Sequence, residues 1–259
     1  MKINKILISQ PEPSSEKSPY HDLAERTGVI IDFRPFIQVE GVSTKEFRQT
    51  RIQILEHQAV LFSSKTAIDH YFSMCEKLRI EVPDSMKYYC MSEASAHYMQ
   101  KYVVYRKRKI FYCSTGNFDE LLNIIKKQQD KEKTKENILL PLSEIHKNDI
   151  PSVLTKNKIK FTKAILYRTV NSNLSDLKGT SYDIVAFFSP AGVKSFINNF
   201  PDFEQNNTNI AAFGNATAKA VKDAKFKLNI EAPSKEAPSM TMALEQFIEK
   251  HNKKQTSKS

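Results

Sequence analysis

The chain has 259 residues, of which 40% are hydrophobic and 26% charged, so it can bury a core without disulfides or metals as staples. Its net charge of +10 at pH 7 favours anionic partners, among them polycarboxylates and nucleic acids. No stretch approaches the ~20 apolar residues of a membrane helix, and the apolar run near the N-terminus is too short for a signal peptide, so we expect a cytoplasmic protein without a membrane partner.

Short apolar strands alternate with amphipathic helices, which is the pattern of α/β folds with parallel sheets. The first half predicts strand 3–8, helix 20–27 ended by Gly28, extended stretch 29–42, helix 47–56, strand 59–62, helix 66–78, strand 87–90, helix 93–101, strand 109–112 and helix 118–127. The second half predicts strand 138–142, helix 149–155, extended stretch 163–170, strand 182–188, helix 193–199, strand 209–213, helix 217–224, strand 227–230 and helix 240–250.

The second half weakly repeats the first. The matched pairs of segments are 61–65 with 187–191, 90–94 with 214–218, and 5–8 with 137–140. These partners lie about 124 to 132 residues apart, and so long a period indicates a duplicated domain rather than a solenoid of short repeats.

Two extended stretches, 29–42 and 163–170, exceed the usual strand length of about 5–6 residues. Each follows the first helix of its half, so we interpret them as a two-stranded β-ladder in which the chain crosses twice between two lobes. The first strand and helix would then complete the sheet of the C-terminal half. The alternative is two sequential domains with a single linker.

The predicted fold is therefore α/β, with two similar parallel-sheet lobes that are joined by a two-stranded β-ladder and have a cleft between them. The expected parts are a discontinuous first domain at 1–33 plus 172–250, a second domain at 46–162, ladder strands at 34–45 and 163–171, and a disordered basic tail at 251–259.

Candidate binding residues occur where strands lead into helices, because ligands of parallel α/β sheets bind beyond the carboxyl ends of the strands. Ser63-Ser64 and Ser189-Pro190 are typical of helix starts, and the small residues from Gly214 to Thr217 leave the backbone accessible. Free N–H groups and the positive end of a helix attract carboxylates or phosphates. The alternative is that each serine only caps its own helix.

Several other kinds of chemistry lack their motifs. The sequence contains no GxGxxG, GxxxxGK[ST] or GxSxG, so neither a nucleotide cradle nor a hydrolase elbow is predicted. Cys75, Cys90 and Cys113 form no CxxC pair, and the six histidines form no HxxxH or HxH pair. We therefore expect free, partly buried thiols and no metal site, which leaves a cofactor-free enzyme or a binding protein.

Three segments resemble uroporphyrinogen-III synthases in order and spacing: AILYRTV at 164–170, FFSPAG at 187–192 and AAFGNATAKAV at 211–221. The likeness continues more faintly from Ile6 to Ile248. It implies two HemD-like lobes of flavodoxin-like, three-layer architecture, the first of them discontinuous.

The resemblance also implies a cyclising lyase of tetrapyrrole and haem biosynthesis that uses no cofactor or metal. In this reaction linear hydroxymethylbilane loses its terminal hydroxyl as water, its last pyrrole ring is inverted through a spiro intermediate, and uroporphyrinogen III closes. The implied partner is this polyanionic small molecule, handed over by hydroxymethylbilane synthase to a monomeric enzyme.

Site residues follow from the same resemblance. Tyr167 matches the family's tyrosine in the cleft and is the candidate acid or positioning hydroxyl, the alternative being a packing role in a tethering strand. The predicted substrate-binding residues are Ser63, Ser64, Lys65, Ser92, Arg168, Ser189, Pro190, Ala191, Gly214, Asn215, Ala216 and Thr217. From their spacing alone, and not from the resemblance, Lys65 and Arg168 are expected to pair with substrate carboxylates.

Two places depart from the family pattern. The turn from Cys90 to Glu93 replaces a small turn, and Glu93 is expected to repel a polyanion unless it is turned away; Ala216 stands where many relatives have a hydroxyl residue. The altered turn leaves open a non-catalytic, two-lobed ligand-binding protein on the same scaffold. An RNA-binding protein is a weaker alternative, because the aromatic residues are not interleaved with the basic runs.

Overall fold

The computed structural model describes residues 2–133 and 135–256. Its strands are β1 (Lys5–Ile8), β2 (Ile30–Phe33), β3 (Ile37–Gly41), β4 (Ala59–Phe62), β5 (Lys87–Cys90), β6 (Ile110–Tyr112), β7 (Ile138–Ser143), β8 (Phe161–Asn171), β9 (Ile184–Phe187), β10 (Asn209–Phe213) and β11 (Leu228–Ala232). Its helices are α1 (Pro19–Thr27), α2 (Thr44–Gln49), α3 (Lys65–Leu78), α4 (Glu93–Tyr98), α5 (Phe118–Glu132), α6 (Asp149–Lys156), α7 (Pro190–Asn199), α8 (Asn215–Asp223) and α9 (Met240–Thr256).

The chain divides into two units. The first contains the residues up to Gln38 together with those from Val170 onward, and the second contains Val39–Thr169. The chain passes from one unit to the other within β3 and again within β8. These two strands are hydrogen-bonded neighbours, as predicted for the two extended stretches.

The first unit contains a parallel five-stranded sheet in the order β11-β10-β9-β1-β2. Counted along the chain within this unit, the order is 2-1-3-4-5, which is that of flavodoxin-like folds. Because β1 lies between β2 and β9, the first strand does complete the sheet of the C-terminal half. This order confirms the predicted crossing and excludes two sequential domains.

Helices cover both faces of this sheet. Successive residues of a strand point to opposite faces, so Ile6 and Ile8 pack with residues of α1 and α9, such as Leu23 and Leu244. The intervening Leu7 packs on the other face with residues of α7 and α8, including Phe196. The unit is therefore built in three layers, as expected.

The second unit repeats this architecture with its strands in a shifted chain order. Its sheet has the order β3-β8-β7-β4-β5-β6, and the strands from β8 to β6 pair in parallel. If β7 is counted as the first strand, the part without β3 again reads 2-1-3-4-5. Hence β7, β4 and β5 correspond to β1, β9 and β10, and these are the pairs that the internal sequence repeat predicts.

Local sequence signals explain how α1 begins and ends. The Ser18 hydroxyl accepts the N–H of Tyr20, Pro19 occupies the first turn, and Gly28 ends the helix with φ +70°. Proline is tolerated at the first helical positions, and the left-handed conformation suits glycine. The predicted stop at Gly28 is confirmed.

The predicted helix 47–56 is wrong in its bounds. Ser43 starts α2 earlier by accepting the N–H of Glu46, and the helix stops at Gln49. Arg51 then takes the left-handed conformation with φ 58°, so the chain turns before a short 3₁₀ turn at Ile54–Glu56. The predicted helix 93–101 similarly consists of α4 followed by a 3₁₀ turn.

The predicted disordered tail 251–259 also needs correction. Helix α9 continues to Thr256 because residues 251–256 include neither proline nor glycine to end it. The last part of that prediction, 257–259, lies outside the described residues. None of the described helices combines the length and apolar character required to span a bilayer.

Candidate active site

The turn between β4 and α3 carries three of the predicted binding residues. Ser64 is extended, with φ −160°, and its hydroxyl oxygen accepts the N–H of Ala67 at 3.1 Å. Ser63 is half-buried, whereas Lys65 is exposed. The Lys65 Nζ lies 5.3 Å from the centroid of the Tyr98 ring, a cation–π distance.

The turn between β5 and α4 lies beside the first, since Cys90 pairs with Phe62 at the ends of the two strands. The Ser92 hydroxyl accepts the N–H of Ser95 at 3.2 Å and donates to the Ser95 hydroxyl at 3.0 Å. The Glu93 carboxylate accepts the hydroxyl of Tyr112 at 2.9 Å. Glu93 is thus engaged with its own unit in the turn that departs from the family pattern.

Tyr167 lies at the carboxyl edge of the same sheet. In the β7–β8 pair it stands opposite Ser143, the last residue of β7, after a shift of register. Its side chain is half-buried and its ring stacks on that of His70, with the centroids 4.9 Å apart and the planes at 14°. Its backbone carbonyl accepts the N–H of Glu144 at 2.8 Å.

Arg168, the next residue, faces carboxylates of its own unit. Its guanidinium donates to Glu46 on α2, and its Nε lies 3.9 Å from Glu144. A substrate carboxylate would therefore compete with these two acidic side chains for Arg168.

In the first unit, the turn between β9 and α7 begins with Ser189. Its hydroxyl oxygen accepts the N–H of Gly192 at 3.0 Å, while Pro190 and Ala191 are exposed in the first turn of the helix. A Cβ atom added to Gly192 would lie 3.3 Å from the Ser189 hydroxyl and 3.9 Å from that of Ser9. The two hydroxyls therefore flank the same small residue.

The turn between β10 and α8 lies beside the previous one, because Ala212 pairs with Phe187. Gly214 has φ +85° and ψ 148°, and α8 starts without a side-chain cap. Asn215 and Ala216 are exposed, but Thr217 is buried. Of the predicted residues here, Thr217 thus lies beneath the turn rather than at its surface.

Each sheet therefore gathers its predicted residues at its own carboxyl edge. In the second unit these are Ser63, Ser64, Lys65, Ser92, Tyr167 and Arg168, and in the first they are Ser189, Pro190, Ala191, Gly214, Asn215, Ala216 and Thr217. A cavity of about 530 Å³ lies at the opposite edge of the first sheet, beside Tyr182 and Thr208, and none of the predicted residues lines it. Among the described residues, no group of three or more His, Cys, Asp and Glu side chains is arranged to hold a metal.

Sequence reasoning missed three residues at these edges: Ser9 after β1, Ser143 at the end of β7, and His70 on α3. Ser9 and Ser143 stand where the strand order reverses, between β1 and β9 and between β7 and β4, which is where open α/β sheets bind ligands. The predicted place of the first strand was the signal that could have found Ser9. His70 had no such signal, because its contact with Tyr167 spans almost a hundred residues.

Comparison with known proteins adds independent findings. A family model described as uroporphyrinogen-III synthase HemD matches residues 18–242. A crystal structure of uroporphyrinogen-III synthetase from Helicobacter pylori 26695 is similar in fold, with a TM-score of 0.57 and 17% identity over 95% of this chain and 99% of that chain. A mutant uroporphyrinogen III synthase from Thermus thermophilus gives a TM-score of 0.46 at 14% identity, over 96% and 99% of the two chains. Comparison with curated proteins gave no match.

Proposed function

The chain belongs to the uroporphyrinogen-III synthase family, and from this premise we propose that it cyclises linear hydroxymethylbilane to uroporphyrinogen III, with loss of water and inversion of the terminal pyrrole ring. The observation that carries the proposal is the family match over residues 18–242, which spans both units. The chain is thus an enzyme of haem biosynthesis, and the reaction makes it a lyase.

Binding of the substrate depends on its negative charge. The substrate is polyanionic and the chain carries a net charge of +10, which steers anions towards it. In the first unit, the helix α8 without a side-chain cap presents its first N–H groups beside the exposed Asn215 and Ala216. In the second unit, Lys65 supplies an exposed ammonium beside Ser64. Both features favour carboxylates.

Catalysis requires that the flexible substrate be held in a ring-closing conformation and that one proton be transferred to the departing hydroxyl. Bringing the two ends of a flexible chain together is worth up to roughly 7–11 kcal/mol of the barrier. The departing hydroxyl needs a proton, and a positioned acid typically contributes about 10²–10⁴-fold. Tyr167 is our candidate for this acid or for a hydroxyl that orients the leaving group, and its half-buried ring at a carboxyl edge supports that assignment.

We further propose that the enzyme works as a monomer in the cytoplasm and receives its unstable substrate from hydroxymethylbilane synthase. The three free thiols suit a reducing compartment.

The decisive experiment incubates the purified chain with freshly generated hydroxymethylbilane and separates the isomers of the product. We expect the type III isomer, whereas a heat-inactivated sample gives the type I isomer that forms spontaneously. Only type I product with the folded chain would contradict the enzyme assignment and leave the non-catalytic ligand-binding alternative.

A further inference from the structure

His70, on α3, forms the surface against which Tyr167 rests. The two rings are nearly parallel, at 14°, with their centroids 4.9 Å apart. Such stacking stabilises the pair beyond the effect of the area that it buries. It also limits the rotation of the tyrosine ring, because one face of the ring is covered.

Gly41, on β3, packs against the His70 ring. A Cβ atom there would lie only 3.0 Å from His70 Nδ1 and 3.8 Å from the backbone carbonyl oxygen of Leu166. Gly41 has no positive φ, so its backbone conformation suits any residue. A side chain at Gly41 would therefore require the imidazole to shift by a few tenths of an ångström.

The His70 ring is suited to a packing role by its charge state. Burial lowers its pKa; Asp69 opposes this change and Lys77 adds to it. Asp69 itself is engaged elsewhere, accepting hydrogen bonds from the hydroxyls of Tyr98 and Tyr102. A neutral imidazole stacks on the phenol without placing a cation beside it.

We propose that His70 is a positioning residue, which holds the Tyr167 ring in one orientation by stacking on it, and that Gly41 keeps His70 in place. The inference rests on the proposed function, since the orientation matters for the hydroxyl assigned to the cyclisation. It predicts that a flat ring at position 70 is required, whatever its ability to carry a proton.

The activity test compares His70→Ala with His70→Phe in the type III assay. Loss of the ring in His70→Ala should lower kcat at least about tenfold, because small misplacements of a reacting group are costly, while KM changes by less than about twofold. His70→Phe restores the flat surface and should recover most of kcat. If the kcat of His70→Phe does not exceed that of His70→Ala although both variants are folded, the stacking role is overturned.

Gly41→Ala supplies an independent variant that leaves His70 intact. By pushing the imidazole it should lower kcat several-fold in the wild-type background, but it should have little effect when added to His70→Ala, because the obstructing ring is then absent. Equal effects of Gly41→Ala in both backgrounds would show that it does not act through His70.

A spectroscopic measurement separates this inference from the proposed function. In spectra of ring-labelled tyrosine, with the Tyr167 signal assigned by its loss in Tyr167→Phe, we expect one sharp signal in the wild type and in His70→Phe, and a displaced or broadened one in His70→Ala. An unchanged signal in His70→Ala would overturn the positioning role even if the wild type forms no type III product. Type I product alone, with the expected spectra, would overturn only the function.

Discussion

At the scale of single residues, capping and ligand binding draw on the same hydroxyls. Ser64, Ser92 and Ser189 each accept the N–H of the residue three positions later, so each does cap its own helix. A serine that accepts one bond keeps a proton to donate. Capping therefore fixes where each hydroxyl lies. Ser64 and Ser189 keep this proton for a carboxylate, whereas Ser92 donates its own to the Ser95 hydroxyl.

Tyr167→Phe tests the hydroxyl assigned to catalysis. Removal of this one oxygen leaves the stack on His70 in place, so we expect type III formation to slow at least about tenfold while the thermal unfolding midpoint changes little. Tyr182→Phe is the matched control, because it removes a hydroxyl bonded to Asp32 in the other unit, near the opposite edge of its sheet. Full activity in Tyr167→Phe would leave Tyr167 with a packing role only.

At the scale of elements, the first turns of the helices both shape the fold and carry candidate binding residues. Helix α8 begins after a glycine in a conformation with φ +85°, and no side chain caps it. A Cβ atom at Gly214 would contact nothing within 4 Å. The constraint at this position is thus the backbone conformation and not crowding.

Gly214→Ala tests whether the start of α8 contributes to substrate binding in addition to the stability of the fold. Placing a Cβ at this φ costs about 1–3 kcal/mol, and relief of the strain would move the start of α8. Gly28→Ala is the control, since Gly28 also has a positive φ and an open Cβ position but ends α1. We expect both variants to lower the free energy of unfolding in urea titrations, and only Gly214→Ala to raise KM. Equal KM values in the two variants would remove α8 from the binding site.

The turn ahead of α5 depends on a single carboxylate. Glu120 accepts hydrogen bonds from the backbone N–H groups and the hydroxyls of Ser114 and Thr115. These hydrogen bonds lower the pKa of Glu120 from its ordinary value of 4.5 to about 2, and the bond from the Thr115 hydroxyl has the largest effect. A carboxyl group whose pKa is lower in the folded than in the unfolded chain stabilises the fold at any pH above its pKa in the unfolded chain. This stabilisation is lost as the pH falls towards its pKa in the folded chain.

We therefore expect Glu120→Gln to lower the free energy of unfolding at pH 6 and to approach the wild type as the pH falls from about 5 towards 2. Denaturant unfolding across this range measures the difference. Glu16→Gln, at an exposed position, is the control and should track the wild type throughout. A constant difference between wild type and Glu120→Gln at every pH would contradict the role of the charged carboxylate.

At the scale of the whole molecule, one topology occurs twice. Apart from β3, both sheets follow the order 2-1-3-4-5, and in both the strand at the reversal point leads into a turn with candidate binding residues. All three cysteines belong to the second unit, where they are free and buried. The sequence led us to expect thiols that were only partly buried.

Thiol labelling measures how well the layers of the second unit exclude solvent. Burial raises the pKa of Cys75 to about 11 and that of Cys90 to about 12, and it also raises the pKa of Cys113. Because the thiolate is the reactive form, we expect the native protein to react with a disulfide reagent only at the rate of unfolding, and all three thiols to react at once in concentrated guanidinium chloride. Rapid reaction of one thiol in the native protein would identify a local opening, and single Cys→Ser variants would show which thiol it is.

Features with a local physical cause were determined by the sequence alone. Strands β4, β5 and β10 have the predicted bounds. Each is a short run of mostly apolar residues, and the turn residues on either side of the run set where the strand begins and ends. Gly28 ends α1 because the required φ is positive. The internal repeat and the two long extended stretches were enough to assign β1 to the sheet of the C-terminal half. The family resemblance pointed to Tyr167, and the passage from strand to helix pointed to the turns at Ser63, Ser189 and Gly214; their roles in binding stay predictions.

Only the tertiary structure decided which side chains meet. Arg168 is paired with Glu46, 122 positions away, and Tyr167 rests on His70 beside Gly41. Periodicity and capping arise from groups a few residues apart, whereas these contacts depend on how distant parts of the backbone approach each other. A pattern along the chain can therefore predict that a residue lies at the edge of a sheet, but the charge or ring that it meets there is set by the fold.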